Sequence, residues 1–383
     1  MRTELKALRR KIKSPELFEE ILHLLNQAAF RPLEEKAGDN IEKSFLISHC
    51  LRVGALLAEM NCSRETIIGG MIFQLQEEGF HLNNLSQGQQ KEVWEIVSRA
   101  KRLKQSYGHI KDLKTKPIKE WQKTLLDQQA ENLRKSFFAL AKDLRPILVL
   151  IADKLDELKH LVSHYSQAQQ KKQAIISLEI MAPLCYGLGI AELKGQFEDL
   201  SFPIIFPKEY KWLIDHVKDR YEQTRIYTEK FQPQIKKFVE SKGIKPIEVS
   251  SRAKRYFSLY QKLLRHDMDI EKIYDLVAMR IIVQTVEECY QVLSILHKNY
   301  KPLPNRTKDY IAKPKINGYQ AIHTTISGPE NKFIEIQIKT AQMNKEAEFG
   351  IAAHLSYKGK FSSKTYKYQF YWLEQLRKWR DES

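Results

Sequence analysis

Hydrophobic and polar positions are spaced differently in the two halves of the chain. Up to about residue 200, apolar residues recur three and four positions apart, as in L-F-E-E-I-L-H-L-L at residues 17–25, which predicts helices almost throughout. From residue 247 the pattern is mixed, with short apolar runs of strand type between helical segments. Pro203 and Pro207 stand between the two regions and exclude one continuous helix there. A long polar helix is predicted to follow them, at residues 208–230.

Two runs in the second half have the character of strands. L-V-A-M-R-I-I-V, at residues 276–283, is almost continuously apolar and predicts a buried strand. F-I-E-I-Q-I-K-T, at residues 333–340, follows a turn at Gly328-Pro329 and is predicted to belong to a β-hairpin. It alternates, so its three isoleucines share one face and Glu335, Gln337 and Lys339 share the other. The isoleucine face predicts a core. The polar face either meets water or lines a site, and the spacing alone leaves both open.

A basic loop precedes this alternating strand. Arg306, Lys308, Lys313 and Lys315 lie among prolines that keep the segment extended, and an Asn-Gly turn then presents Tyr319. A tyrosine at such a turn can stack on a nucleotide base while the cations hold phosphates. A plain surface loop leading into a hairpin is the alternative interpretation.

A second basic segment covers residues 250–265 and is predicted to be a helix. With a helical repeat, Lys254, Ser258 and Lys262 fall on one face, a pattern that suits phosphate binding or a merely solvated surface. Asp275 stands at the start of the predicted buried strand, a common place for a Mg²⁺ ligand, although a lone acid is weak support.

Two residues of the helical half invite a chemical interpretation. His49 lies on an apolar helix, and Asp153 ends the apolar run I-L-V-L-I-A. Burying a carboxylate is costly unless it is paired or bound to a metal. Two isolated ligands do not make a metal site, so a satisfied core histidine and a paired aspartate remain the simpler interpretation.

Composition and charge narrow the class of protein. The 383 residues suffice for two to three domains, and 43% of them are apolar. No apolar run has the length of a membrane span, and the charged N-terminus has no signal-peptide core, which predicts a cytoplasmic location without membrane attachment.

The four cysteines form no C-x-x-C pair, so neither zinc nor disulfides are expected. The net charge of +16 suits polyanionic partners such as nucleotides or RNA, or simply aids solubility.

Five motifs follow one another in the second half: R-A-K-R-Y-F-S-L-Y-Q-K, Y-D-L-V-A-M-R, K-D-Y-I-A-K-P-K-I-N-G-Y-Q-A-I-H-T-T, I-E-I-Q-I-K-T and E-A-E-F-G-I-A-A-H-L-S-Y-K. Together they resemble the RelA/SpoT-homologue family of alarmone synthetases and hydrolases. The resemblance implies an α+β protein. A helical domain similar to HD hydrolases is expected at residues 1–165, connecting helices at 166–205, and a mixed α/β, nucleotidyltransferase-like synthetase domain at 206–383.

The resemblance further implies a pyrophosphokinase that moves the β,γ-pyrophosphate of ATP to the 3′-hydroxyl of GDP or GTP. Asp275 and Glu335 would hold Mg²⁺, and Glu335 would also orient or deprotonate the hydroxyl. Tyr319 would stack on the acceptor guanine. The acceptor nucleotide would also be held by Lys315, Asn317 and His323. On the donor, Arg252 would stack on the adenine. The donor phosphates would be bound by Lys254, Ser258, Lys262 and Lys308.

The helical half departs from its family pattern, in which Mn²⁺ is held by a histidine, a His-Asp doublet and a later aspartate. His49 and Asp153 match the first and last ligands, but the doublet is Phe73-Gln74. An acidic pair is retained as Glu77-Glu78. We therefore expect the Mn²⁺ site and the hydrolase activity to be lost, and the domain to be regulatory, with an allosteric nucleotide as one ligand to consider.

Other features keep alternatives open. The loop Arg306–Asp309 has the basic form typical of members that also hydrolyse. The resemblance also leads us to expect that the long ribosome-docking region of relatives is not part of this sequence, either cut away or never there. The acceptor could instead be ADP, ATP or the 3′ end of tRNA. A catalytically silent nucleotide sensor is the alternative from another class.

Overall fold

The structure is a computed structural model that describes residues 2–12, 14–29, 39–75, 82, 85–108, 143–160, 165–273, 276–315 and 318–350. It divides into two compact units, with the boundary between Leu184 and Cys185. None of the described helices is long and apolar enough to cross a membrane. All four cysteines are buried free thiols.

The first unit is helical throughout its described residues, as predicted. Its helices are α1 (Arg2–Lys11), α2 (Pro15–Ala29), α3 (Asp39–Glu59), α4 (Arg64–Ile72), α5 (Gln87–Gly108), α6 (Arg145–Lys159) and α7 (Gln167–Ile176); a π-helical turn (Ser177–Met181) leads into α8 (Ala182–Gly187), which runs across the boundary.

Helix α6 forms the centre of the first unit. Its residues Ile147–Ala152 are fully buried, and it packs against α3, α4 and α5. Helices α3 and α4 approach closely because Gly54 faces Met71, where a Cβ on the glycine would lie 2.7 Å from the sulfur. This packing brings residues of α3, α5 and α6, and the segment after α4, to one buried place.

The second unit begins with two helices and continues as a sheet with helices on it. Its elements are α9 (Ala191–Ile205), α10 (Pro207–Ser241), β1 (Glu248–Ala253), α11 (Tyr256–Arg265), β2 (Val277–Val283), α12 (Val286–Asn299), β3 (Lys308–Asp309), β4 (Ile322–Ser327), β5 (Phe333–Thr340) and α13 (Ala341–Phe349).

The five strands form one sheet in the order β1-β2-β5-β4-β3. Only the central pair, β2 and β5, is parallel; the other pairs are antiparallel. The buried strand and the hairpin of β4 and β5 were both predicted from the sequence and are confirmed. The hairpin turns at Gly328 and Pro329, where the Gly328 N–H donates to the Lys332 carbonyl at 2.9 Å.

One face of this sheet is the core of the second unit. Ile334, Ile336 and Ile338 are at most 1% exposed and pack with Met279 and Ile281 of β2, and helices α10 and α12 cover them. The opposite face is polar. One row of it crosses all five strands and consists, from β1 to β3, of Ser250, Arg280, Gln337, His323 and Lys308.

Two predicted helices differ from the structure. The segment 250–265 is not one helix, because its first residues belong to β1, whose pairing with β2 outweighs their helical spacing; the helix begins only at Tyr256. The polar helix predicted at 208–230 extends from Pro207 to Ser241 and continues through Pro233. Packing of its apolar face on the sheet maintains it beyond the proline.

We predict that Ile336→Ala lowers the free energy of unfolding by about 2–5 kcal/mol, because it leaves a cavity in the centre of the sheet's buried face. Urea unfolding of the full chain measures this change. The matched control is Ile247→Ala, whose side chain is 47% exposed and should cost about 0.5 kcal/mol or less. Equal costs for the two variants would contradict the assigned core.

Candidate active site and the charged cluster around His49

The polar face of the sheet places the predicted catalytic carboxylate on a rigid central strand. Glu335 lies on β5 with Gln337 and Lys339, at alternate positions. Its side chain is 17% exposed, and the Gln337 amide donates to its Oε1 at 3.1 Å. The neighbouring strand β4 brings His323 opposite Gln337. This carboxylate is therefore held in a defined orientation, largely shielded from solvent.

Tyr319, His323 and Glu335 are linked in a chain of polar contacts. The Tyr319 hydroxyl lies 2.8 Å from His323 Nε2, and His323 Nδ1 lies 3.0 Å from Glu335 Oε1. An ionised carboxylate can only accept, so Nδ1 donates to Glu335. Nε2 of a neutral ring then accepts from the tyrosine hydroxyl. The chain connects the predicted base platform to the predicted catalytic group through one imidazole.

Lysines predicted to bind phosphate lie around this chain. The Lys315 ammonium lies 5.1 Å from the centre of the Tyr319 ring. Although Lys315 as a residue is exposed, burial of its ammonium lowers the pKa, and the positive charges of Lys308 and Lys254 lower it further. The Glu335 carboxylate acts in the opposite direction. Lys308, Lys254 and Glu335 are therefore each close enough to Lys315 to act on its charge.

The predicted donor residues lie on consecutive elements. Arg252 is on β1, Lys254 follows the strand, and Ser258 and Lys262 lie one helical turn apart on α11. The sequence grouped the last three on one helix. In the structure only Ser258 and Lys262 share a helix, whereas Lys254 lies before it, where its backbone N–H donates to the Leu276 carbonyl at 2.9 Å.

Carboxylates of α9 contact the arginines beside the donor region. Glu192 Oε2 lies 3.6 Å from Arg252 Nη2, and Glu192 also pairs with Arg255. Arg255 Nη1 lies 3.4 Å from Asp199 Oδ2, and Asp199 Oδ1 accepts from the Phe257 N–H at 3.1 Å. Sequence reasoning did not identify these acids, because nothing in the spacing of α9 indicates which arginines it meets.

Lys339 is a further charged residue of the polar face that sequence reasoning did not assign to the site. Its side chain is fully buried, and Nζ has no hydrogen-bond partner among the described residues. Burial, followed by the charges of Arg252 and Arg280, lowers the pKa of this lysine to about 7. The alternating pattern of β5, which places Lys339 on the same face as Glu335, was the sequence signal that could have identified it.

In the first unit, His49 is held between two aspartates of α6. His49 Nε2 lies 3.0 Å from Asp153 Oδ1, and Nδ1 lies 2.7 Å from Asp156 Oδ2. Burial lowers the pKa of His49, but hydrogen bonds to the two carboxylates and their negative charges outweigh it and raise the pKa to about 9. The histidine is therefore a buried cation at neutral pH.

Further donors complete the contacts of these carboxylates. Gln74 Nε2 donates to Asp153 Oδ1 at 2.5 Å, and Lys104 Nζ donates to Asp153 Oδ2 at 3.1 Å. The Lys104 ammonium also lies 5.2 Å from the centre of the Phe73 ring. Arg52 Nε donates to Asp156 at 2.7 Å. Asp153 is thus neutralised by protein cations, and Phe73 and Gln74 occupy its immediate surroundings.

Several predicted site residues cannot be placed. Asp275, Asn317, Glu77 and Glu78 lie outside the described residues. Within the described ranges, no three His, Cys, Asp or Glu side chains are grouped so that they could hold a metal ion.

Family models match both units of the chain. Residues 251–362 match the model described as a region found in RelA/SpoT proteins, and residues 29–191 match the model described as an HD domain. The chain belongs to the RelA/SpoT family.

Curated relatives agree with this assignment. The chain is 36% identical over 338 residues to a GTP pyrophosphokinase of Myxococcus xanthus, covering 87% of this chain and 43% of the relative. It is 35% identical over 355 residues to a guanosine-3′,5′-bis(diphosphate) 3′-pyrophosphohydrolase of Aquifex aeolicus, covering 91% of this chain and 48% of the relative. The bifunctional (p)ppGpp synthase/hydrolase SpoT of Escherichia coli is 34% identical over 313 residues, which are 82% of this chain and 42% of that protein. The chain spans less than half the length of these relatives.

Among solved structures, the small alarmone synthetase 1 of Bacillus subtilis bound to its product pppGpp matches 44% of this chain and 92% of its own chain. The sequence identity is 22% and the TM-score is 0.29.

We predict that Asp153→Asn lowers the free energy of unfolding by about 3–5 kcal/mol, because it leaves His49 and Lys104 without their shared buried counterion. Thermal and urea unfolding measure the change. Glu59→Gln is the matched control. It breaks only the ion pair with Lys11, in which the Lys11 and Glu59 side chains are 43% and 44% exposed. The free energy of unfolding should therefore fall by about 1 kcal/mol or less.

The pH dependence of this difference follows from the two pKa shifts. The pKa of Asp153 is lowered from 3.8 to about 2, so its contribution is complete above pH 3.8 and is lost as the pH falls through 2. The pKa of His49 is raised from 6.5 to about 9, so its contribution is complete below pH 6.5 and is lost as the pH rises through 9. The difference between wild type and Asp153→Asn should therefore be largest between these limits. A flat profile would contradict the pairing.

Proposed function

We propose that the second unit is a pyrophosphokinase that makes the alarmone (p)ppGpp from ATP and GDP or GTP. The observation that carries the proposal is the linked Tyr319–His323–Glu335 arrangement on the polar face of the sheet, surrounded by lysines. Curated relatives named as GTP pyrophosphokinases support the same activity.

The reaction joins the acceptor's 3′-oxygen to the β-phosphorus of ATP and breaks the bond from that phosphorus to the oxygen bridging the α- and β-phosphates. AMP leaves, and the hydroxyl proton goes to a base. In-line transfer of this kind depends mainly on positioning and on cations around the phosphates. Glu335 would take or orient the proton, since it lies on a rigid strand and is held by His323 and Gln337.

The remaining residues would bind the two nucleotides. Tyr319 would stack on the acceptor base, with Lys315, Asn317 and His323 beside that nucleotide. Arg252 would stack on the donor adenine and must then exchange its contact with Glu192 for the base. The donor phosphates would be held by Lys254, Ser258, Lys262 and Lys308.

Mg²⁺ is the metal that this chemistry favours. It is commonly held by one or two carboxylates together with substrate phosphates. Glu335 is suitable as one such carboxylate, and Asp275 is the second candidate. When bound, Mg²⁺ would neutralise charge on the transferring phosphates.

Acceptors other than GDP or GTP also fit the candidate site. Stacking on Tyr319 suits any base, so ADP, ATP or a tRNA 3′ end remain candidate acceptors. The net charge of +16 is compatible with RNA. A silent nucleotide sensor is disfavoured because Glu335 keeps ordered partners within the described residues.

We predict that purified protein transfers label from γ-³²P-ATP to GDP or GTP and releases AMP. The test offers GDP, GTP, ADP and bulk tRNA in parallel and identifies the labelled product and the released nucleotide. Release of ADP would indicate simple phosphoryl transfer and contradict the proposal. Nucleotide binding without any labelled acceptor would support the sensor. Glu335→Gln should abolish transfer and leave ATP binding intact; unchanged transfer would exclude the role given to Glu335.

We also infer that the first unit has lost (p)ppGpp hydrolysis and acts as a regulatory module. Asp153, which matches a metal ligand in the family pattern, already contacts His49, Gln74 and Lys104. These donors compete with a metal for the same oxygens. Phenylalanine supplies no ligand, and an amide is a poor substitute for a carboxylate. Because one curated relative is named as a hydrolase, this inference needs its own test.

We predict that wild type binds no Mn²⁺ and that Phe73→His with Gln74→Asp gains measurable Mn²⁺ affinity by calorimetry, because the pair restores two ligands beside Asp153. The control is Phe73→Ala with Gln74→Ala, which removes the same contacts without adding ligands. Tight Mn²⁺ binding by wild type, with release of pyrophosphate from ppGpp, would overturn the inference. No gain in the double variant would mean that the surrounding pocket is lost as well.

A further inference from the structure

Lys339 is a fully buried cation of the polar sheet face, four residues after Glu335 on β5. Its Nζ has no hydrogen-bond partner among the described residues. A buried amine without a hydrogen bond costs several kcal/mol relative to a solvated one. A fold keeps such a group only when something repays the cost.

The neighbouring arginines differ from Lys339 in this respect. Arg280 donates to Glu348 at 3.0 Å and to Glu248 at 3.2 Å, and Arg252 lies 3.6 Å from Glu192. Their charges are therefore balanced within the protein. The ammonium of Lys339 makes no such hydrogen bond among the described residues, and the Glu348 carboxylate raises its pKa less than burial and the two arginines lower it. This imbalance indicates that its partner comes with a ligand.

Lys339 lies beside the proposed base platform. Its Nζ is 5.5 Å from the centre of the Tyr319 ring. Stacked aromatic rings have their centres about 4.5–7 Å apart, so the edge of a base on Tyr319 falls within reach of this ammonium. The complete burial of Lys339 also suits a neutral base edge better than a phosphate, which the more exposed Lys308 and Lys315 are placed to bind.

We propose that Lys339 donates a hydrogen bond to the carbonyl oxygen O6 of a guanine stacked on Tyr319 and so selects guanine over adenine. The proposal rests on the function proposed above, in which Tyr319 receives the acceptor base. Guanine presents an acceptor at this position, whereas adenine presents an amino donor. An ammonium pairs with the first and is left buried and unpaired by the second.

The test compares two acceptors, GDP and 2,6-diaminopurine riboside 5′-diphosphate, which has an amino group in place of O6 and an N1 that accepts instead of donating a hydrogen bond. Calorimetry measures the dissociation constants for wild type and Lys339→Met. We expect wild type to prefer GDP by about fivefold or more, and the preference to disappear in Lys339→Met. Lys339→Arg keeps a donor and should retain the preference. Lys332→Met is the control, since Lys332 is on the same hairpin but 56% exposed.

Two further measurements separate this role from others. Lys339→Met should raise the melting temperature of the free protein, because it removes an unpaired buried amine; a marked loss of stability would indicate a structural role and overturn the proposal. Binding of guanosine without phosphates should weaken in parallel with GDP; weakening for GDP alone would assign Lys339 to a phosphate and also overturn it.

The outcomes distinguish this inference from the proposed function. Wild type that transfers label to GDP but shows the same base preference as Lys339→Met leaves the function standing and excludes the role of Lys339. Wild type that neither binds GDP nor transfers label excludes both.

Discussion

The second unit depends on the strict alternation of residues along β5. Because successive side chains of a strand point to opposite faces, one eight-residue segment supplies both the isoleucines of the core and the polar groups of the site. The core holds the strand in register between β2 and β4, and this register aligns Glu335, Gln337 and Lys339 with His323 and Arg280. A one-residue slip of β5 would exchange the two faces. The same register is therefore needed for the stability of the core and for the arrangement of the polar candidate site.

The two units differ in whether their buried charged side chains have hydrogen-bond partners of opposite charge. In the first unit, Asp153 and Asp156 are surrounded by His49, Lys104 and Arg52, so the cluster is neutralised within the protein. In the second unit, the fully buried Lys339 lacks a hydrogen-bond partner among the described residues. The first arrangement supports the inference that this cluster has a structural role, and the second supports the proposal that Lys339 binds a ligand.

Sequence reasoning succeeded where a pattern is local. Alternation identified β5 and its turn, an apolar run identified β2, and helical spacing identified the first unit. It was wrong for residues 250–265, because helical spacing and strand pairing compete there and the partner strand β2 is distant in the chain. For the same reason the contacts of Glu192 with Arg252 and Arg255 were not foreseen. The roles assigned to individual site residues remain predictions.

The sequence by itself determined the family, the two-part organisation into helical and mixed regions, and the alternating residue types along β5, because motifs and periodicity depend on neighbouring positions. Only the tertiary structure decided that His323 bridges Tyr319 and Glu335 and that Lys104 and Gln74 reach Asp153. It also decided that the buried Lys339 ammonium has no hydrogen-bond partner among the described residues. These facts depend on which side chains of distant segments meet and on how far each is removed from water. Neither can be obtained from spacing along the chain.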